Sequence, residues 1–135
     1  MRPAASLPAI GESGTSGGKA ISAFSDTELA YLQAERRLGR VATIGRDGMP
    51  HVTPVGWSYN PELDTIDIGG RGLAQSRKFA DVARTGRAAI VIDDVLPPRR
   101  LRGIEVRGEA EAVESPQAVI RIHPHRVRSW DLALA

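Results

Sequence analysis

Two runs of alternating apolar residues, 40–44 (RVATI) and 51–59 (HVTPVGWSY), stand close together with the pair Asp47-Gly48 between them. Asp-Gly at that spacing signals a tight hairpin, and strands joined so closely must be antiparallel. Pro54 in the return run cannot donate to a ladder, so this strand belongs at a sheet edge or is bulged there, with backbone groups left free. The rest of the chain follows the same pattern. Residues 60–64 form a turn, 65–69 a third strand, 87–93 a near-continuous apolar strand, 103–113 a long alternating strand and 120–123 a last short one. A helix capped by Ser25 or Asp26, with Glu28 near its third position and Leu29, Leu32 and Leu38 on its apolar side, ends at Gly39. A second helix spans 75–84, with Phe79, Val82 and Ala83 toward the core. Helix, three strands, helix, three strands offers too few crossovers for a doubly wound sheet; the expected class is mainly β, an antiparallel barrel with an inserted helix.

A chain of 135 residues is one domain, and with aromatics at 4% its core has to come from Val, Ile, Leu and Ala. Its 18 basic residues are interleaved with 16 acidic ones, whereas a nucleic-acid protein would carry a denser basic face, so no nucleic-acid partner is expected. The absence of cysteine removes disulfides, thiolate zinc sites and Cys nucleophiles, and fits a cytoplasmic protein. No apolar run approaches the roughly 18 residues of a membrane span, and no membrane partner is expected. Residues 1–23 are rich in Pro, Gly, Ser and Ala without the apolar centre of a signal peptide; they are expected to be a flexible tail ahead of a domain over 24–135. Gly17-Gly18-Lys19 fails as a phosphate loop, because Ser13 replaces the first required Gly and Ala20 the Ser/Thr.

The segment TIDIGGRGLAQSRKFAD, residues 65–81, carries the chemistry. It ends a strand in Gly69 and Gly70 and opens a helix with Ser76, Arg77 and Lys78 in the first turn. The first turn of a helix has unbonded N–H groups and a partial positive charge, so cations there cost about 0.3–1 kcal/mol each unless an anion compensates them. A hydroxyl and two cations at this corner read as a site for a phosphorylated cofactor. Of His51, His123 and His125, only the last two have even the loosest ligand spacing and no third ligand joins them, so no metal is expected. Gly-x-Ser-x-Gly is absent, which argues against a hydrolase. Trp57 alternates with Tyr59 and suits a core; Trp130 lies in a segment (RVRSWDL) too short to hold it inside a monomer, which points to a dimer.

Through the ordered segments LGRVATIGRDGMPHVTPVGWSYNPELDTIDIGG, SRKFADVARTGRAAIVIDD, RGIEVRGEAEAV and IRIHPHRVRSW, the chain resembles the pyridoxamine-phosphate-oxidase-like split β-barrel superfamily, and within it the class of deazaflavin (F420)-dependent oxidoreductases. The resemblance implies a homodimer of six-stranded split barrels with flanking helices and cofactor clefts at the subunit interface. It implies phosphate held at Ser76, Arg77 and Lys78, the ring along His51, Val52, Thr53, Pro54 and Val55, close approach at Gly69 and Gly70, and Trp130 of a second copy closing the pocket. Where similar proteins commonly have Lys-x-x-Asn, this chain has Lys78-Phe79-Ala80-Asp81, and a carboxylate repels phosphate; either Asp81 pairs with Arg77 or affinity falls. The chain also ends soon after its last strand, without the C-terminal extension of pyridoxamine phosphate oxidases, so that activity is not expected.

The resemblance further implies hydride transfer to a conjugated C=C or C=N of a small molecule, with the hydride chemistry supplied by the cofactor. His51 is the candidate proton donor. An FMN-binding flavin reductase or oxidase-like protein is the alternative, and a non-catalytic flavin or deazaflavin carrier a second one. A deazaflavin's oligoglutamate would need a cationic groove near Lys78, for which Arg71, Arg84 and Arg87 are candidates.

Overall fold

A computed structural model describes residues 2–3 and 21–133. The elements run β1 (Arg2–Pro3), α1 (Asp26–Gln33), β2 (Gly39–Ile44), β3 (Pro50–Val55), β4 (Trp57–Asn60), β5 (Thr65–Ile68), a 3-10 turn (Leu73–Gln75), α2 (Arg77–Thr85), β6 (Arg87–Leu96), β7 (Arg100–Val113) and β8 (Val119–Trp130). Seven strands form one antiparallel sheet in the order β3-β2-β6-β7-β8-β5-β4, with β1 added to β8. β3 and β4 stand at opposite ends of this order yet are separated by Gly56 alone, so the sheet has to curl until its ends meet. The mainly β split-barrel class is confirmed; the strand count of six is not. The expected strand over 51–59 divides at Gly56, its first half pairing with β2 and its second with β5.

The β2–β3 hairpin turns at Asp47-Gly48 as expected, with Gly48 at φ 83° and the Met49 amide donating to Asp47 Oδ1. β3 is an edge strand, and its ladder with β2 runs unbroken through Arg40↔Pro54, so Pro54 marks an edge and not a bulge. The bulge lies between β7 and β8. Register shifts between Arg107 and Gly108, and a Cβ at Gly108 would sit 1.8 Å from the His123 carbonyl oxygen, so only glycine fits.

Inside the curl the strands supply rows of β-branched residues. Val41, Ile90, Val106 and Val127 pair in sequence across β2, β6, β7 and β8, and Ile66 joins Ile122 and Ala110 across β5, β8 and β7. All but Ala110 are at most 1% exposed. Phe24, Tyr31, Trp57 and Phe79 are buried beside them, so few aromatics still contribute much of the core. α1 is shorter than expected and Leu38 falls beyond it, 58% exposed; on α2 the buried positions are Phe79, Asp81 and Val82, while Ala83 is exposed. Residue 1 and residues 4–20 of the expected tail lie outside the described residues, whereas Ser22 Oγ and the Ala23 amide donate to Asp64. Among the described residues no helix is long and apolar enough to cross a membrane.

α1 is fixed to the barrel by charge as well as packing. Arg102 bonds both Asp94 oxygens, at 2.8 and 3.0 Å, and the Tyr31 hydroxyl donates to Asp94 Oδ1 at 2.7 Å. The Arg37 guanidinium lies 4.0 Å from the Tyr31 ring centroid, with its Nε 3.4 Å from Asp94. The Arg102 bonds lead in holding Asp94 down to about 2 from the usual 3.8. A depressed carboxyl stabilises the fold above its unfolded value and loses that contribution as pH falls through its folded one. Asp94→Asn should therefore cost about 1–2 kcal/mol at pH 7, and the gap from the unsubstituted protein should close as pH falls from about 4 toward 2, read by urea denaturation at each pH.

Candidate functional site

The corner between β5 and α2 is built by glycines and a serine cap. Gly70 and Gly72 take φ of 142° and 69°, conformations that side chains rarely adopt, and a Cβ on Gly69, Gly70 or Gly72 would meet nothing within 4 Å, so the backbone here is bare. Ser76 caps α2: its hydroxyl accepts from the Phe79 amide at 3.3 Å and donates to the Leu73 carbonyl at 2.6 Å. The helix starts at Arg77, two residues later than the periodicity suggested, because a 3-10 turn occupies 73–75. Its first turn holds no acidic residue, Arg77 is exposed and Lys78 half-buried, and neither has an ion-pair partner among the described residues. The corner faces the start of β8: Gly69, Gly70, Leu73 and Gln75 share a groove with Gln117 and Val119.

Alternation along β3 divides its five candidate residues. Val52 and Pro54 are exposed on the outer face, with Val52 at 66%. His51, Thr53 and Val55 point the other way, and Val55, 6% exposed, belongs to the core; its side chain cannot touch a ligand on the surface.

Asp81 does not pair with Arg77. It is turned under the helix onto β2 and β3, where Thr43 Oγ1 donates to Oδ2 at 2.9 Å, His51 Nδ1 lies 3.0 Å from the same oxygen, and Arg84 Nη2 donates to Oδ1 at 3.1 Å. Burial pushes this carboxyl up, but the bonds from Thr43, His51 and Arg84 outweigh it and hold it below the usual carboxylate value. Arg84 also donates to the Ile44 carbonyl, so of the cations considered for an oligoglutamate groove only Arg71 and Arg87 remain exposed and without an ion-pair partner among the described residues. Thr43, Gly45 and Arg84 were not foreseen at this cluster. Alternation with Val41 could have placed Thr43 on the inner face; nothing local signals the others.

Trp130 is half-buried at the far end of β8, against Gly103. β8 runs twelve residues from Val119 to Trp130, roughly 35–40 Å at strand rise, so one chain does not bring Trp130 to the glycine corner. His123 pairs with Glu111, His125 falls in the bulge, and no group of metal-ligating side chains occurs among the described residues.

A family model described as pyridoxamine 5'-phosphate oxidase matches residues 25–131. A 5a,11a-dehydrotetracycline/5a,11a-dehydrooxytetracycline reductase of Streptomyces rimosus is 38% identical over 81% of this chain and 84% of its own. A conserved hypothetical protein of Mycobacterium tuberculosis superposes with TM-score 0.67 at 26% identity, over 81% of this chain and 86% of that one. An F420 reductase superposes with TM-score 0.57 at 15% identity, over 73% of this chain and 94% of its own, which bears on the fold alone.

The His51 ring occupies space that only glycine leaves at position 45, where a Cβ would lie 2.6 Å from Cε1 and 2.8 Å from Nε2. Gly45→Ala should push the imidazole off Asp81, strand a buried carboxylate bond and cost about 1–2 kcal/mol, seen as a fall in Tm together with displaced His51 ring resonances.

Proposed function

The chain belongs to the pyridoxamine 5'-phosphate oxidase family, and from that premise we propose that it is an oxidoreductase transferring a hydride from reduced F420 to a conjugated small-molecule acceptor. The observation that carries this reading is the cation pair at the start of α2. Arg77 and Lys78 stand against the helix dipole with no acidic residue in that turn, next to a glycine corner around which an added side chain would meet nothing. That donor set fits a cofactor phosphate, because the bound anion would remove the unfavourable term. The named chemistry of the Streptomyces rimosus relative supports an acceptor that is flat and conjugated.

On this reading Arg77 and Lys78 hold the phosphate, Ser76 keeps the helix start in register, and the bare backbone at Gly69 and Gly70 admits close approach. The exposed edge of β3, at Val52, Thr53 and Pro54, lies along the ring through its backbone groups. The deazaflavin, when bound, supplies the hydride. His51 supplies the proton, and Trp130 of a second copy closes the cleft in a homodimer working in the cytoplasm. Arg71 and Arg87 are the exposed cations left for the oligoglutamate.

Titration with F420 and with FMN, followed by tryptophan quenching, tests the cofactor. Micromolar or tighter F420 binding is expected, with Lys78→Ala weakening it at least tenfold; preference for FMN would move the protein to the flavin branch, and no binding to either would refute the reading. Sedimentation should give twice the 14.5 kDa chain mass, and a monomer that retains cofactor would refute the shared cleft.

A further inference from the structure

The buried Asp81 carboxylate aims both oxygens at donors, Oδ2 at Thr43 and His51 Nδ1, Oδ1 at Arg84. A carboxylate only accepts, so Nδ1 carries a proton whether the ring is neutral or charged. That leaves Nε2 as the ring nitrogen able to exchange a proton with anything outside. Nε2 has no hydrogen-bond partner among the described residues and lies over Gly45, in the space a side chain would take. The imidazole is 31% exposed while the carboxylate is 3% exposed, so access to the pair runs through the histidine.

We propose that Asp81 is a positioning residue: it holds His51 as the Nδ1–H donor and directs every proton His51 transfers through Nε2. The proposal rests on reading His51 as the proton source. In a turnover, doubly protonated His51 gives its Nε2 proton to the acceptor atom next to the one that takes the hydride. Nδ1–H stays on Asp81, the reductant is the reduced deazaflavin, and solvent returns a proton to Nε2. The charged groups around the ring are Asp81 and Arg84 from α2 and Asp47 from the hairpin turn, whose Oδ1 lies near the Gly45 Cβ position; Thr43, on β2, is neutral.

The geometry makes Asp81→Asn a directed probe. Arg84 can only donate, so it takes the amide oxygen at the Oδ1 position and leaves the NH2 facing His51 Nδ1, which must then accept. The neutral ring is forced into the Nε2–H form. Nitrogen-15 NMR of the histidine ring in the cofactor-free protein should show Nδ1–H for the unsubstituted chain and Nε2–H for Asp81→Asn. With F420 and an acceptor, kcat of Asp81→Asn should fall about 10–100-fold with cofactor Kd within about twofold, and His51→Gln should show a comparable loss. An Nε2–H ring in the unsubstituted protein overturns the proposal, as does turnover unchanged in both variants across the pH range. Should Asp81→Asn not fold, the tautomer of the unsubstituted protein and the His51→Gln kinetics still decide. Because the tautomer is read without cofactor, failure to bind F420 would refute the functional reading and leave this measurement standing.

Discussion

One residue separates two strands that stand at opposite ends of the sheet, and the rest of the architecture follows from that constraint. With Gly56 alone between β3 and β4, an open, flat sheet is impossible; the strands have to curl, and the inner face so created is filled by Ile and Val from six strands. β3 itself stays an edge. Pro50 and Pro54 have no N–H to offer a further strand, which protects that edge from pairing with another chain while leaving its remaining groups open to a ligand. α2, inserted between β5 and β6, is anchored at its far end where the Ala110 amide of β7 donates to the Gly86 carbonyl. Its near end is thereby held at the glycine corner.

The carboxylate on that helix gives the arrangement its rigidity. A buried charge is costly unless every oxygen is satisfied, and removing one partner of such a group costs more than the pair contributes. Asp81 meets that demand with donors from β2, β3 and its own helix, so a single side chain ties α2 to the hairpin that carries the candidate ligand edge. This also accounts for an acidic residue three positions after Lys78. The carboxylate is spent on Thr43, His51 and Arg84 inside the molecule, and the helix shows cations at its first turn and its negative charge at the second, beneath the surface.

What the sequence made legible was local. The Asp47-Gly48 turn, the Gly69-Gly70 break and the Ser25 cap with Glu28 at its third position are each encoded within a few residues, and each stands where those residues put it. The division of 51–59 was hidden because apolar alternation continues across Gly56 in HVTPVGWSY; only the pairing partners change there. β8 reaches twelve residues where four were foreseen, since Pro124 and the charges around it mask the period and the bulge skips a residue. The His51–Asp81 contact spans thirty positions and depends on how α2 docks, so no window of sequence contains it.

The two walls of the proposed cleft raise a separate point of geometry. The glycine corner, where the proposal seats the phosphate, sits by Val119, and Trp130 stands at the other end of the same strand, so a chain alone can offer one or the other to a ligand but not both. The outer face of β2, β3 and β6 meanwhile presents Ile44 and Val52, both at least 39% exposed, with Ala42 and Ala89 in register beside them; Val95 and Leu101 lie farther along the same face, beyond the Arg40–Asp93 ion pair. The exposed apolar positions beside β3 are stabilised by covering them, and a second copy that did so would carry its own Trp130 with it. On the proposed reading, association and cofactor capture then draw on the same surface. Cofactor would stabilise the dimer by as much as dimerisation raises cofactor affinity, since the coupling between two binding events is reciprocal.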